Sequence, residues 1–312
     1  MPNNIRVVLA AILIPFGLVT SGGALAQPLG DTSSPIKIAI NEWTGQQITA
    51  HVAGTLLEKL GYKVEYVTAG TLPQFTALTS GALSISPEVW PSNLGEVYPK
   101  AKAAGEIEEI GELGLDTRDG WIYTPGTKAA CPGLPDWTAL KVPSCVAALA
   151  TPDTFPNGRL LDYPADWGSV SGVELKNFEL PFTPVPAGSE GALIAELQSA
   201  VASQKPLLMR FWGPHWVLAK TPVEWLKMPP CDPNDTSSCI VAPPVLKAVW
   251  SGFSKQWPAG YELMKAFRLN ANDQQQMMYA VDKEGKTLDD AVSWWLDQHQ
   301  ADWQAWVKAA QS

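Results

Sequence analysis

The chain has 312 residues, a formal charge of −9 and a pI of about 4.9. That acidity argues against nucleic acid or an anionic membrane surface as the natural partner, since neither attracts net negative charge. The length suffices for one large domain or two medium ones with ample core.

The first residues, MPNNIRVVLAAILIPFGLVTSGGALAQ, set Arg6 ahead of an apolar run from Val7 to Val19 and close on Ala24-Leu25-Ala26. A basic start, a short apolar stretch and a small-x-small site read as a secretory signal peptide over residues 1–26. The run is shorter than the ~20 residues of a membrane-spanning helix. No cysteine directly follows it to carry a lipid, so export to the periplasm as a soluble protein is expected.

Ile36 to Ile40 (IKIAI) alternates as a strand does, and Thr49 to Leu60 follows with Val52, Leu56, Leu57 and Leu60 at helical spacing before Gly61. Tyr62 to Val67 reads as a second strand, Leu72 to Thr79 as a second helix, and Ala82 to Ser86 (ALSIS) as a third strand. This β-α-β-α-β order predicts an α/β domain with a largely parallel sheet. The acidic run from Glu106 to Glu112 reads as a solvated face. Trp121 to Thr124 opens a further strand after Asp119-Gly120, while Cys131 to Pro186 is rich in proline and glycine with weak periodicity. Glu190 to Ser203 forms an amphipathic helix, followed by a strand from Pro206 to Phe211. Helices are then expected at 242–251, 261–269, 273–282 and 288–309.

All four cysteines lie in the exported part. An oxidising compartment makes disulfides the default. Three pairings are possible; the local ones, Cys131–Cys145 and Cys231–Cys239, are expected because each closes a short proline-rich or polar loop. No cysteine pair has C-x-x-C spacing, and His51, His215 and His299 are the only histidines, so neither a metal site nor a cofactor is expected.

The chain carries 14 tryptophans. Those near the C-terminus, Trp294, Trp295, Trp303 and Trp306, read as packing residues of one helix. Trp43, Trp90, Trp121 and Trp212 instead lie at or just past predicted strand ends, where ligands of open α/β sheets bind. Several indole faces around a cavity suit a quaternary ammonium, whose diffuse charge meets the negative ring faces while its methyl groups gain apolar contact. The same rings stack on sugar faces, so the ring pattern leaves both ligand classes open.

The stretches NEWTGQQITAHVAGTLLEKLGYKVE, LTSGALSISPEVWPSN, Asp166-Trp167-Gly168, FWGPHWV and the tryptophan-rich C-terminal helix together resemble the substrate-binding proteins of ABC importers for glycine betaine, proline betaine and choline. The resemblance covers nearly the whole exported chain. It implies a two-lobed periplasmic-binding-protein (Venus flytrap) fold with two chain crossovers, one lobe taking 35–118 and 218–312 and the other 119–217. It also implies hinge closure on a ligand and delivery to a membrane permease by a monomer. Trp43 and Trp212 match family cage positions. Trp167, Gly168 and Ser169 match a betaine-type turn with one ring and two backbone amides; Trp90 and Trp121 match the choline-type rings. The chain also departs from both patterns. Tyr163 and Ser169 stand where the betaine-type turn has cysteines, Gly45 replaces a choline-type acid, and Gln47 replaces a betaine-type histidine.

Glu88, Glu42 and Asp166 are the candidate acids for a ligand cation, with a solvated loop acid the other reading of Glu88 and Glu42. Gln47 is a candidate donor to a ligand carboxylate, Arg118 a candidate partner for it, and Arg210 reads rather as a strand-edge salt bridge. His215 and Trp216 are expected to pack. No G-x-S-x-G, H-E-x-x-H or phosphate-binding loop occurs in the sequence. The expected function is therefore non-enzymatic capture of a small quaternary-ammonium solute, betaine-like before choline-like. Receptors for another small polar solute, and a glycoside hydrolase using Glu88 with Asp166, are the alternatives.

Overall fold

The computed structural model describes Met1, residues 28–230, Ile240 and residues 244–312. The signal-peptide reading and the Cys231–Cys239 pair lie outside the described residues. Ten strands are present among those described: β1 (Ile36–Ile40), β2 (Val64–Thr68), β3 (Ile85–Val89), β4 (Ile107–Glu112), β5 (Arg118–Tyr123), β6 (Gly158–Asp162), β7 (Phe182–Pro186), β8 (Leu208–Gly213), β9 (Glu224–Trp225) and β10 (Leu246–Trp250). They form two five-stranded sheets, β2-β1-β3-β10-β4 and β7-β6-β8-β5-β9. Each sheet is parallel on one side, with an antiparallel strand inserted: β10 runs against β3 and β4, and β5 runs against β8 and β9. The chain crosses from the first sheet to the second after β4 and returns before β10. This is the two-lobed α/β architecture with two crossovers.

Several local expectations change. Residues 242–251 were expected to be helical, but Leu246–Trp250 is the strand β10, buried between β3 and β4. Periodicity cannot separate a short buried strand from a buried helix turn. Lys247, at the centre of β10, donates through Nζ to the carbonyls of Met264 (2.7 Å), Lys265 (3.2 Å) and Phe267 (2.6 Å), which end the helix Pro258–Ala266. It thus fills acceptors that a helix terminus leaves open. The third strand starts at Ile85 and runs through Pro87. Proline fits there because the partner strand shifts register between Leu246 and Ala248, where no ladder N–H is needed.

The expected helix 288–309 is two helices, Leu288–Gln298 and Gln300–Ala310, divided at His299. The Leu296 carbonyl, near the end of the first, accepts the Trp303 indole N–H at 2.9 Å. Of the C-terminal tryptophans, Trp295 is buried and Trp303 and Trp306 are partly so, while Trp294 is exposed. The weakly periodic stretch 131–186 contains β6 and β7 with short helices between them, each too brief to leave a periodic signature. Past Leu218, expected to return to the first lobe, Glu224–Trp225 still pairs with β5 and Leu226 donates its N–H to the Trp121 carbonyl. A two-residue strand carries almost no sequence signal.

Cys131 and Cys145 are disulfide-bonded inside the core of the second lobe, among Leu134, Leu140, Leu160 and Phe178. Replacing both (Cys131→Ser with Cys145→Ser) is expected to lower stability by about 3 kcal/mol, the chain-entropy value for a loop of this length. Ligand affinity should be unchanged; thermal unfolding and a binding titration check the two expectations.

Candidate ligand-binding site

The carboxyl ends of β1, β3, β6 and β8 and the start of antiparallel β5 meet at the cleft between the lobes. Trp43 occupies the position just before the helix Thr44–Leu60 after β1, and Trp90 follows β3 directly. Trp167 ends the single turn Ala165–Trp167 after β6, and Trp212 is the penultimate residue of β8. These four indoles, with Tyr163, Asn93 and Asp119, line one cavity. Ring centroids stand 4.8 Å apart for Trp43 and Trp167, 5.4 Å for Trp167 and Trp212, and 5.6 Å for Tyr163 and Trp212. The Trp167–Trp212 planes are inclined by 80°, so these rings form adjoining walls. The free space among the lining side chains totals about 250 Å³, solvent at the mouth included. The largest apolar cluster runs from the first sheet through these four tryptophans into the second, so the lobes are closed on each other.

Glu88 lies behind the first-lobe rings. One carboxylate oxygen accepts the indole N–H of Trp43 (3.3 Å) and of Trp90 (3.0 Å); the other accepts Thr49 Oγ1 (2.7 Å) and Gln274 Nε2 (2.9 Å). Burial pushes its pKa above the ordinary value, and the four donors oppose that rise. Glu88 therefore holds the rings from behind and is not among the residues that line the cavity. A sequence cannot show that two indole N–H groups will converge on one acid.

In the second lobe Arg210 is buried between two acids, donating from Nε to Asp119 (3.0 Å) and from Nη1 to Glu174 (2.7 Å). Burial disfavours the guanidinium, but Asp119 and Glu174 outweigh it and hold its pKa above the usual value. Two carboxylates share this one cation. Burial raises the pKa of both, and Glu174 is pushed up to about 7. Asp119 also accepts from Tyr163 Oη at 3.3 Å through Oδ1, while its Oδ2 is buried without a partner among the described residues. Trp167 Nε1 is likewise buried and unpartnered.

Around Tyr163 and Ser169, hydrogen bonds to Asp162 hold the loop. Its Oδ2 accepts Ser169 Oγ at 2.7 Å, and its Oδ1 accepts Ser171 Oγ and the Tyr163 N–H, each at 2.9 Å. Gly168, at φ +79°, presses its backbone onto Asn93 of the other lobe; a Cβ there would meet the Asn93 carbonyl oxygen at 2.2 Å. Only glycine allows that approach.

The remaining expectations separate from the cavity. Trp121 lies on the same face of β5 as Asp119 but two residues further in, about 7 Å along the strand, and packs in the disulfide core. Because β5 is antiparallel, its start and not its continuation faces the cleft, which is why sequence reasoning chose Trp121 and missed Asp119. Gln47 donates to the Asn41 carbonyl. Asp166 is exposed, beside Gly70 of the other lobe. Ser169 spends its hydroxyl on Asp162, Glu42 is exposed, and Arg118 stacks over Trp225 with 4.3 Å to the ring centroid. His215 is fully buried and Trp216 nearly so, as expected of packing residues. Glu88 and Asp166 do not flank a common cleft, so the paired carboxylates of a glycoside hydrolase are not assembled.

Residues 34–298 match the family model for the substrate-binding domain of ABC-type glycine betaine transport systems. The chain belongs to that family. Its members are solute-binding proteins of importers and not enzymes, and they work with a membrane permease. The chain is 30% identical to the trimethylamine N-oxide-binding protein of Pelagibacter ubique, over 89% of this chain and 92% of that protein. It is 24% identical to the glycine betaine/proline betaine-binding periplasmic protein of Salmonella typhimurium, over 95% and 96%. Among solved structures, the glycine betaine/L-proline-binding protein of Borrelia burgdorferi superposes with a TM-score of 0.73 at 20% identity, covering 89% of this chain and all of that one.

Two outcomes test the site's supports. Glu88→Gln sets an amide N–H against donors, and it is expected to weaken ligand binding about ten-fold or more although Glu88 lies outside the cavity; titration checks this. Glu174 has its pKa raised by folding, so its contribution to stability is complete below its ordinary 4.5 and is lost as pH rises through about 7. Glu174→Gln should flatten stability against pH in that window, as read by denaturant unfolding at several pH values.

Proposed function

We propose that this protein captures a small methylated-ammonium solute in the periplasm and presents it to an importer, with the head group held by Trp43, Trp90, Trp167 and Trp212. The observation that carries this reading is the pair of buried polar atoms left unpartnered at the cavity. Asp119 Oδ2 is an acceptor beside indole faces and favours a positive head. Trp167 Nε1 is a donor with nothing to donate to and favours an oxygen on the same ligand. Leaving such atoms unmatched costs about 1–3 kcal/mol each. The negative oxygen of a compact solute accepts from Trp167, and its trimethylammonium group, which has no N–H to donate, meets the Asp119 carboxylate electrostatically. Desolvated cation–π contacts add about 2 kcal/mol each.

The backbone amides of Gly168 and Ser169 make no hydrogen bond within the protein among the described residues, and they stand ready as further donors to that oxygen. Within the class, the restricted space supports trimethylamine N-oxide and glycine betaine ahead of the longer carnitine, while choline, no longer than glycine betaine, lacks the negative oxygen. The relatives at 30% and 24% identity are named for the first two of these ligands or their close kin.

Titration of the purified protein with trimethylamine N-oxide, glycine betaine, proline betaine, choline and carnitine, followed by tryptophan fluorescence, tests the assignment. Tight binding of one of the first two is expected; binding of none of the five would overturn it. Trp212→Ala should reduce affinity at least a hundred-fold, about 2.7 kcal/mol, with the thermal unfolding of the ligand-free protein little changed.

A further inference from the structure

Glu190 begins the helix Glu190–Ala202 of the second lobe and is buried. Its Oε2 accepts the backbone N–H of Thr44 at 2.9 Å and lies 3.2 Å from Thr44 Oγ1. Thr44 is the first residue of the helix Thr44–Leu60 in the first lobe. Position 43, where an oxygen-bearing side chain would ordinarily cap that helix, holds the cage residue Trp43, and no side-chain cap is made. The acceptor comes instead from across the cleft. Glu190 is itself held on the second lobe: His215 Nδ1 accepts from Val217 N–H, leaving Nε2 to donate to Glu190 Oε1 at 3.2 Å. On the other side of Thr44, Asp282 of the first lobe meets Thr44 Oγ1 at 2.7 Å and accepts the Trp216 indole N–H at 2.7 Å.

We propose that Glu190 is the closure latch, a positioning residue that caps the Trp43-bearing helix only when the lobes meet. Parting the lobes takes the carboxylate away from the Thr44 N–H and uncovers the helix end next to Trp43. Closing restores the cap in the same motion that brings Trp43 against Trp167. The proposal rests on the ligand reading above for its effect on binding, but not for the contact itself. Glu190 does not line the cavity, so it acts on how long the closed form lasts and not on what the cage recognises.

Stopped-flow tryptophan fluorescence, with whichever of trimethylamine N-oxide and glycine betaine binds the wild type, measures the effect. Glu190→Ala is expected to speed dissociation about ten-fold or more, the scale of a lost charge-assisted hydrogen bond. Association should stay within about two-fold, and the order of preference among ligands should be unchanged. Glu190→Gln, which keeps the side-chain volume, should fall between and covers a failure of the alanine variant to fold. Unchanged dissociation in both variants overturns the latch. If the wild type binds neither solute, the ligand reading fails alone, and small-angle scattering of the ligand-free protein decides the latch. A larger radius of gyration for Glu190→Ala than for the wild type supports it, and an equal one overturns it.

Discussion

Glu88 gathers the N–H groups of Trp43 and Trp90 on one oxygen and ties the other to Thr49 and Gln274, so one buried carboxylate joins the ends of β1 and β3 to two helices. Indole rings offer large faces but only one directional handle each. Without an acceptor for that handle, a ring at a strand end is free to turn about its side-chain bonds. A buried acid with four donors removes that freedom for half the cage, and it does so from outside the cavity lining. The cost of burying the charge is seen in the raised pKa of Glu88 and is offset by the donors that surround it.

The second lobe solves the same problem with more charge. Arg210 sits between Asp119 and Glu174, Tyr163 bonds to Asp119, and Asp162 holds the loop that carries Trp167 and Gly168. One cation shared by two acids leaves Asp119 Oδ2 without a partner at the cavity among the described residues. The proposed positive head beside Asp119 complements it, so the polar scaffold and the aromatic walls favour the same kind of ligand. Neither half makes a cage alone: Trp43 and Trp90 come from one lobe, Trp167 and Trp212 from the other. The Glu190–Thr44 contact places the reward for closure next to the ring that closure must bring into place.

Much of the fold was legible because it rests on local patterns. The alternation in IKIAI, the helical spacing up to Leu60 and the short connections between them follow from side-chain direction in strands and helices. What failed was short or buried on all sides: β10 read as helix, and β6, β7 and two-residue β9 went unseen. The site divided in the same way. Trp43, Trp90, Trp167 and Trp212 were recognisable because strand-end position and motif are properties of the chain. Asp119, Tyr163 and Asn93 were not, because each reaches the cavity through a reversal or a close approach that no spacing records.

The sequence by itself determined the family, the two-lobed α/β architecture, the local Cys131–Cys145 bridge and the aromatic character of the site, all of which depend on residue type and order along the chain. Tertiary structure alone decided which side chains line the cavity and which stand behind them. Strand direction turned Asp119 toward the cleft and Trp121 away from it, and lobe closure brought Glu190 to Thr44 across 146 residues of sequence. Both outcomes depend on where separate segments lie in space, and hydrogen-bond partners far apart in the chain leave no mark in its local pattern.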